Sequence, residues 1–468
     1  FYIKGKFILM YTSTHKLKNL VRSYHFIDKT DFVEVFFRSP PITMITAPRR
    51  FGKSANMDIV RRFCEMRVDD EGNKVRREDT KNYKLFSQNN LRIFKNRVFF
   101  DRHFGNYPVI FLSFKELQSQ DHRSFIYTFQ NIVTIAYSKH QYLLRSSKLS
   151  EDERKVFAMF NDDDEIEEAS EEALYSSIAT LCHLLYKHHG NNTIILLDEI
   201  DRSLQEASVV NPQISKAFIF LIDFLLATFK RNPFFERALI NGRVRFTGFL
   251  SNATQITTIP FLSDPTFSKF YGLTDTEMRN LLEKFNMTEK IKHVKFYFGG
   301  YQEYGSSSQM YNLYGILKYL ISPKKKMYWG PTGGIKRFQR VLMFEETSDA
   351  VNDLLVDFQE EKKGMEIDFK EGFRVDEIKR FQLIIERKTK VTDIDVEMYL
   401  HYLAEMGYLI VIKKTKFRTT LRIPNMDVQG TLYITAEKNL LKQGEHNFKK
   451  YCADFFIKPD FYFGGDAI

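Results

Sequence analysis

TAPRRFGKS, residues Thr46 to Ser54, is the stretch from which the chain is best read. Before it, Pro41 to Ile45 (PITMI) is an apolar run of the kind that forms a buried strand. Behind it, Ala55 to Met66 (ANMDIVRRFCEM) carries apolar residues at helical spacing. Strand, tight loop and Gly-Lys-Ser opening a helix is the arrangement that grips a nucleotide triphosphate, because a helix N-terminus offers unpaired N–H groups and the positive end of its dipole. Gly52 lets the backbone approach the phosphates, Lys53 reaches the β- and γ-phosphates, and the Ser54 hydroxyl binds Mg2+. Ala47, Pro48, Arg49, Arg50, Phe51 and Ala55 complete the nucleotide-contacting set. Ala47 stands where the general G-x-x-x-x-G-K-[ST] pattern has its first glycine, and Pro48, Arg49 and Arg50 make the loop more rigid and more basic than usual. Taken alone, FGKS after a strand also fits a turn that caps an ordinary helix.

The stretch Asn192 to Arg202 (NTIILLDEIDR) supplies what such a loop needs from a second strand. Asp198 at the strand end holds the metal together with Ser54, and Glu199 orients and deprotonates an attacking water, so Glu199 and Lys53 are the expected catalytic groups. Asp201 orients its neighbours. Apolar residues followed by Asp-Glu are common at strand ends; following a Gly-Lys-Ser loop, they gain meaning.

The remaining elements fit a parallel sheet with helices on both faces, a three-layer α/β sandwich of the additional-strand P-loop type. Asn106 to Lys115 reads as a second strand, and Arg243 to Gly248 (RVRFTG) as a fourth, ending at Thr247, a polar sensor assigned a catalytic role. Gln255 to Ile259 reads as a fifth strand. Phe125 to Tyr137, Ala173 to His189 (closed by Gly190) and Asn211 to Lys230 (Asn211 as N-cap, Pro212 in the first turn) read as helices. Asp69 to Arg102 is charged and irregular, a surface connection. Near the start, Asp28 N-caps a helix; a functional reading lays Tyr24 to Ile27 over a nucleotide base and counts Asp28 among the nucleotide contacts, while physics alone favours an ordinary capped helix. After Pro265 come a helix capped by Thr274 with Glu277 as its box partner, a second helix at Tyr311 to Leu320 and the turn WGPTGG from Trp329. From Val375 to Ile423 helices are followed by two strands, an order like that of a winged helix, with Lys413, Lys414, Lys416 and Arg418 in the wing's turn. The domains expected are 1–265 (ATPase core), 266–345 (helical lid), 346–430 (winged-helix-like region) and 431–468 (tail).

With 43% hydrophobic and 15% aromatic residues in 468, the chain has ample material for a core, which excludes global disorder. Ile219 to Phe229 is the most apolar run, too short to span a bilayer, so no membrane partner is expected. Lys6 to Tyr11 only hints at a signal peptide, and the first residue is Phe1, so the natural start is missing or trimmed. Cys64, Cys182 and Cys452 suit a reducing, intracellular compartment, cytoplasmic or nuclear, and form no metal cluster. The net charge of +10 permits contact with nucleic acid, through the basic wing, without requiring it.

An ordered series of motifs then resembles a known family: HFIDKTDFV, APRRFGKSANM, YPVIFLSFK, IILLDEID, FTGFLSN, FYGLTDTEM, YFGGYQ, YNLYGILKYL, YWGPTGG, EMGYLIVI and RIPNMDV. The chain is similar to the AAA-ATPase-like family of predicted P-loop ATPases, which commonly carry a C-terminal PD-(D/E)XK nuclease-like domain. The basic loop of that family itself lacks the usual first glycine. Three departures stand out. DEID replaces the family's DEYD, and Gly299 in YFGGY replaces an acid. No basic residue follows Thr247–Gly248 closely, so that a cis arginine would have to be Arg49 or Arg50. The resemblance implies a nuclease-like domain after Asn425, and 431–468 is at most the start of a truncated one. A rival nuclease signal, LIIERK at Leu383 to Lys388 with Asp368 and Asp376 upstream, has the minimal metal-nuclease pattern but arises easily on helices.

Together these readings give a P-loop ATPase that binds ATP (no NKxD motif for GTP follows the acidic strand) and hydrolyses it with Mg2+, moving the lid and winged region, with self-association as one arrangement. The alternative is a nucleotide-dependent switch or nucleic-acid-binding module with little turnover, derived from an ATPase–nuclease of a mobile element or defence system.

Overall fold

Five parallel strands form the central sheet in a computed structural model of the protein. They are β1 (Ile42–Thr46), β2 (Val109–Ser113), β3 (Thr193–Asp198), β4 (Phe235–Gly242) and β5 (Thr257–Pro260), in the order β2-β3-β4-β1-β5. The structure describes residues 15–117, 121–202, 214–247, 255–303, 305–306, 308–324, 326–335, 339–360 and 363–442, with the backbone alone for 214 and 437–442. Lys6 to Tyr11, Asn211, Pro212, Gly248 and Cys452 lie outside them. Among the described residues, no helix is long and apolar enough to cross a membrane.

β1 and β3 are buried at every position, as strands covered on both faces are, and this is why they read as unbroken apolar runs. Alternate residues divide between two apolar clusters: Ile195, Leu197 and Ile240 on one face, Ile194, Leu196 and Leu239 on the other. The second face is covered by α1 (Phe32–Arg38) and α2 (Lys53–Cys64), the first by α3 (His122–Ser138), α4 (Glu171–His189) and α5 (Ile214–Phe229). An Asp121–Ser124 capping box starts α3, and Gly190, at φ 75°, ends α4.

Two expectations are corrected here. The charged stretch Asp69 to Arg102 is not a surface connection: it contains the short helices Lys81–Gln88, Arg92–Lys95 and Arg97–His103. They press Phe86, Ile93 and Phe100, with Phe104 just after the last helix, each at most 1% exposed, onto the second face around Phe63. The strand between β1 and β3 is Phe235–Gly242, not Arg243 to Gly248. Its first residues, Phe235 to Arg237, sit at the sheet rim, where Glu236 stays exposed and the strand looks polar from sequence.

Beyond β5, α6 (Asp275–Lys284) begins with the Thr274–Glu277 capping box read from sequence. This segment is not wholly helical: β6 (Leu273–Thr274), β7 (Tyr301–Gln302) and β8 (Gln309–Tyr311) make a small antiparallel sheet in the order β6-β8-β7. Then follow α7 (Glu345–Gln359), β9 (Met365–Asp368), α8 (Val375–Ile385), α9 (Asp393–Glu405), β10 (Ile410–Lys414) and β11 (Arg418–Arg422), with an antiparallel sheet ordered β10-β11-β9. α10 (Met426–Lys442) closes the described chain. The C-terminal segment is continuous with the first core cluster, which runs through Phe373, Tyr399, Tyr408 and Leu432.

One buried carboxylate ties α10 to the WGPTGG turn. Asp427, 1% exposed, accepts hydrogen bonds from the N–H groups of Trp329 (2.9 Å) and Gly330 (3.3 Å). Burial pushes its pKa up to about 7, against the pull of the backbone N–H groups of Trp329, Gly330 and Tyr328. The folded protein thus keeps a proton that the unfolded chain releases near the ordinary carboxylate value of about 4. The associated stability is full below about pH 4 and is lost as the pH rises towards about 7. Asp427→Asn, which carries no charge at any pH, should remove this component. In denaturant melts of parent and variant from pH 4 to pH 8, the parent should lose stability relative to Asp427→Asn as pH rises; parallel curves would refute the assignment.

Candidate nucleotide site

The carboxyl ends of β1, β4 and β3 finish level with one another, with Thr46 beside Gly242 and Leu197 beside Ile240. This brings together residues far apart in sequence. The Ser54 hydroxyl, at the start of α2, donates to Asp198 Oδ2 at 2.7 Å. Asn241, the penultimate residue of β4, donates through Nδ2 to Asp198 Oδ1 at 3.0 Å. Asp198 is therefore oriented from both sides, and the buried Asn241 Oδ1 has no hydrogen-bond partner among the described residues.

Lys53 is 7% exposed, and its ammonium donates to the carbonyls of Ala47 and Pro48 (2.9 Å to Pro48). Burial and then the charge of Arg243 lower its pKa to about 8, against the opposing pull of Glu199, Asp201 and Asp198. Gly52 has φ 93° and Arg50 φ 66°; the first is natural for glycine, the second costs a side-chain-bearing residue on the order of 1 kcal/mol. The side chains of Pro48 and Phe51 turn into the protein, so those two positions present only backbone to the site. Arg49 Nη1 lies 3.4 Å from the Thr332 carbonyl, and the Arg50 guanidinium sits over the Tyr314 ring at 4.5 Å.

Glu199 follows Asp198 with φ 57°, a strained backbone for a residue with a side chain. Its carboxylate meets Arg243 Nη2 at 3.2 Å and Arg202 Nη1 at 3.3 Å. Burial pushes its pKa up, but the charges of Arg243, Lys53, Arg202 and Arg49 outweigh burial and hold it below the usual carboxylate range. Asp201 does orient its neighbours: its Oδ2 accepts from the N–H groups of Arg243 and Val244, both at 2.8 Å, and so fixes the exit from β4. A Cβ at Gly242 would lie 2.7 Å from the end of the Met44 side chain and 3.4 Å from Asp201, so the strand end packs closely on both.

Two expected site residues have other partners in the structure. Thr247 lies beyond β4, and its N–H and hydroxyl both donate to the Phe373 carbonyl (2.9 and 3.4 Å), joining the core to the C-terminal segment. The residue at the strand end is Asn241. Asp28 does not cap α1, whose N-cap is Asp31. Its Oδ1 accepts from Thr30 N–H and hydroxyl (2.9 and 2.6 Å), and its Oδ2 caps the Arg92 N–H at 2.6 Å. Tyr24, expected over a base, donates to the Lys284 carbonyl at the end of α6.

Asn241 and Arg243 were missed from sequence. The signal was present, an apolar Ala-Leu-Ile running into Asn-Gly, but the later Thr-Gly pair resembled the family motif more closely. With the strand ending at Asn241–Gly242, basic Arg243 and Arg245 follow directly, so the basic residue thought absent after the strand is there.

The rival nuclease residues take separate partners: Asp368 pairs with Arg418, Asp376 with Arg374 and Glu386 with Lys388. Among the described residues, no group of three or more His, Cys, Asp or Glu is placed to hold a metal. Mg2+ does not require such a group, since it keeps several waters and is bound through one or two protein oxygens plus the phosphates; Ser54 Oγ and Asp198, in contact, are a donor set of that kind.

No curated protein matches this sequence. The family model described as "Predicted AAA-ATPase" matches residues 14–249, half of the chain and all of the site just described. The chain belongs to the AAA-ATPase-like family of predicted AAA-ATPases.

Proposed function

We propose that the protein binds ATP with Mg2+ on the loop Ala47–Ser54 and hydrolyses it. The observation that carries this reading is the Ser54–Asp198 contact beside a buried Lys53, at the carboxyl edge of a parallel sheet, where ligands of such sheets bind. Lys53 leaves the loop carbonyls for the phosphates and stabilises the charge on the transferred group. Ser54 and Asp198 would hold Mg2+, which neutralises charge developing on the phosphates. Glu199, kept ionised by its cationic neighbours, takes the proton of the attacking water. Arg243 is placed to hold Glu199 in position, and Asn241 to aim Asp198. Hydrolysis would be coupled to movement of 266–345 and of the winged-helix-like segment against the core, a proposal supported by the direct contacts of Arg49 and Arg50 with Thr332 and Tyr314.

A second reading, a nucleotide-dependent module that engages nucleic acid, is favoured by one observation. At the turn between β10 and β11, Phe417 is 71% exposed, flanked by Lys416, whose ammonium lies 5.4 Å from its ring. This hairpin is the surface proposed to meet a phosphate backbone. α9, the helix that would enter a groove, has four carboxylates and no Lys or Arg, and is largely buried. In the hairpin, Arg418 already pairs with Asp368 and Lys414 covers Phe369, leaving Lys413 and Lys416 as the chief phosphate-binding groups.

Three outcomes follow. Lys53→Ala should weaken ATP binding by calorimetry far more than adenosine binding, since it removes a charge at the phosphates only; equal ATP affinity in parent and variant would sink the loop assignment. Glu199→Gln should keep ATP binding and lose turnover by on the order of 10²-fold or more; parent-like turnover would contradict its role, and a parent without turnover would favour the switch. In a salt titration of duplex binding, replacing Lys413 and Lys416 with Ser should flatten the log–log slope by about 0.9 for each phosphate that is no longer neutralised, with identical slopes leaving the hairpin structural.

A further inference from the structure

The outer wall of the phosphate loop is built by parts of the chain far from it. Trp329 is 1% exposed, and its indole N–H donates to the Arg49 carbonyl at 2.8 Å. The same ring lies edge-on to Phe51, with centroids 6.0 Å apart. Trp329 is itself fixed: its backbone N–H is held by Asp427, and the next carbonyl, that of Gly330, accepts from the Tyr408 hydroxyl at 2.7 Å. Gly407 meets the loop as well, since a Cβ there would come 2.5 Å from Pro48.

The bond to Arg49 has a directional consequence. The Arg49–Arg50 peptide is trans, so its C=O and N–H point opposite ways. Holding the carbonyl on Trp329 turns the Arg50 N–H to the other side of the loop, away from the indole. The loop has few ways of enforcing this itself. Pro48 has no N–H to contribute, Ala47 replaces the usual glycine, and Arg50 sits in the left-handed region that side chains disfavour. A free peptide at this point could flip and present its carbonyl, which repels phosphate, in place of the N–H.

We propose that Trp329 is a positioning residue of the phosphate loop: by pinning the Arg49 carbonyl it directs the Arg50 N–H towards a bound triphosphate. This rests on the reading of Ala47–Ser54 as a phosphate site. The orienting hydrogen bond comes from outside the region that the family model covers, and it makes phosphate affinity depend on the packing of the WGPTGG turn against Tyr408 and α10.

Calorimetry on the full chain with ATP–Mg2+ and with adenosine tests it, with Lys53→Ala as control. Trp329→Phe keeps most of the ring and deletes the N–H. It should lower ATP affinity about three- to tenfold, the range for losing one hydrogen bond, and leave adenosine binding unchanged. Tyr408→Phe removes the hydroxyl that holds the Gly330 carbonyl and should lower ATP affinity in the same sense by a smaller factor. A structural role alone would lower the thermal midpoint or both affinities together, without changing their ratio. If the parent binds no ATP, or Lys53→Ala binds it like the parent, the phosphate-site reading itself fails. If parent and control behave as expected and a folded Trp329→Phe keeps the parental ATP-to-adenosine ratio, the positioning role is overturned. Should Trp329→Phe not fold, Tyr408→Phe decides by the same ratio.

Discussion

The hydrogen bond from Ser54 to Asp198 joins residues 144 positions apart. It can exist only because three parallel strands end flush. β4 lies between the two partners, so both β1 and β3 must hold their register against it. A slip of one residue would turn every side chain of a strand to the opposite face and take Asp198 or Asn241 out of the site. The division of strand residues between two apolar clusters is what prevents that slip: Ile194 and Ile195, or Leu239 and Ile240, cannot exchange faces without exchanging cores. The geometry of the polar site is thus secured by the apolar pattern beneath it.

Local signals made part of this legible in sequence. An apolar run, a glycine with its lysine and serine, and an apolar run ending in Asp-Glu each carry their chemistry within a few residues. So does the Thr274–Glu277 cap, which forms as read. What was not legible depended on distant partners. Asp28 looks like an N-cap for the helix that follows it, yet it caps a helix starting at Arg92. The helices between Asp69 and Arg102 are too short to show a period, and their surface charges hide the Phe residues they bury. β4 was displaced because its rim residues are charged, while RVRFTG alternates more cleanly and ends in a motif-like pair.

The close packing of two glycine- and asparagine-bearing motifs explains each by the other. Gly299, in the YFGGYQ motif, has no room for a side chain: a Cβ would lie 2.5 Å from the Lys295 carbonyl and 2.9 Å from Tyr311. The Gly299 carbonyl is taken by Asn425 Nδ2 at 2.6 Å, and Asn425 Oδ1 also accepts from the Val428 N–H at the start of α10. The RIPNMDV and YFGGYQ motifs are therefore two halves of one joint.

The shared apolar cluster bears on how the polypeptide can be divided. Residue 249, where the family match ends, falls before β5, and β5 covers the outer edge of β1. A fragment cut there would leave the hydrogen-bonding edge of β1 unpaired and uncover Phe51, which packs on Phe261, Tyr301 and Trp329. An open strand edge beside bare aromatic rings is a template for aggregation. The stretch that the family model matches is thus shorter than the packing that supports the loop, which draws on Phe261, Tyr301 and Trp329 from beyond it.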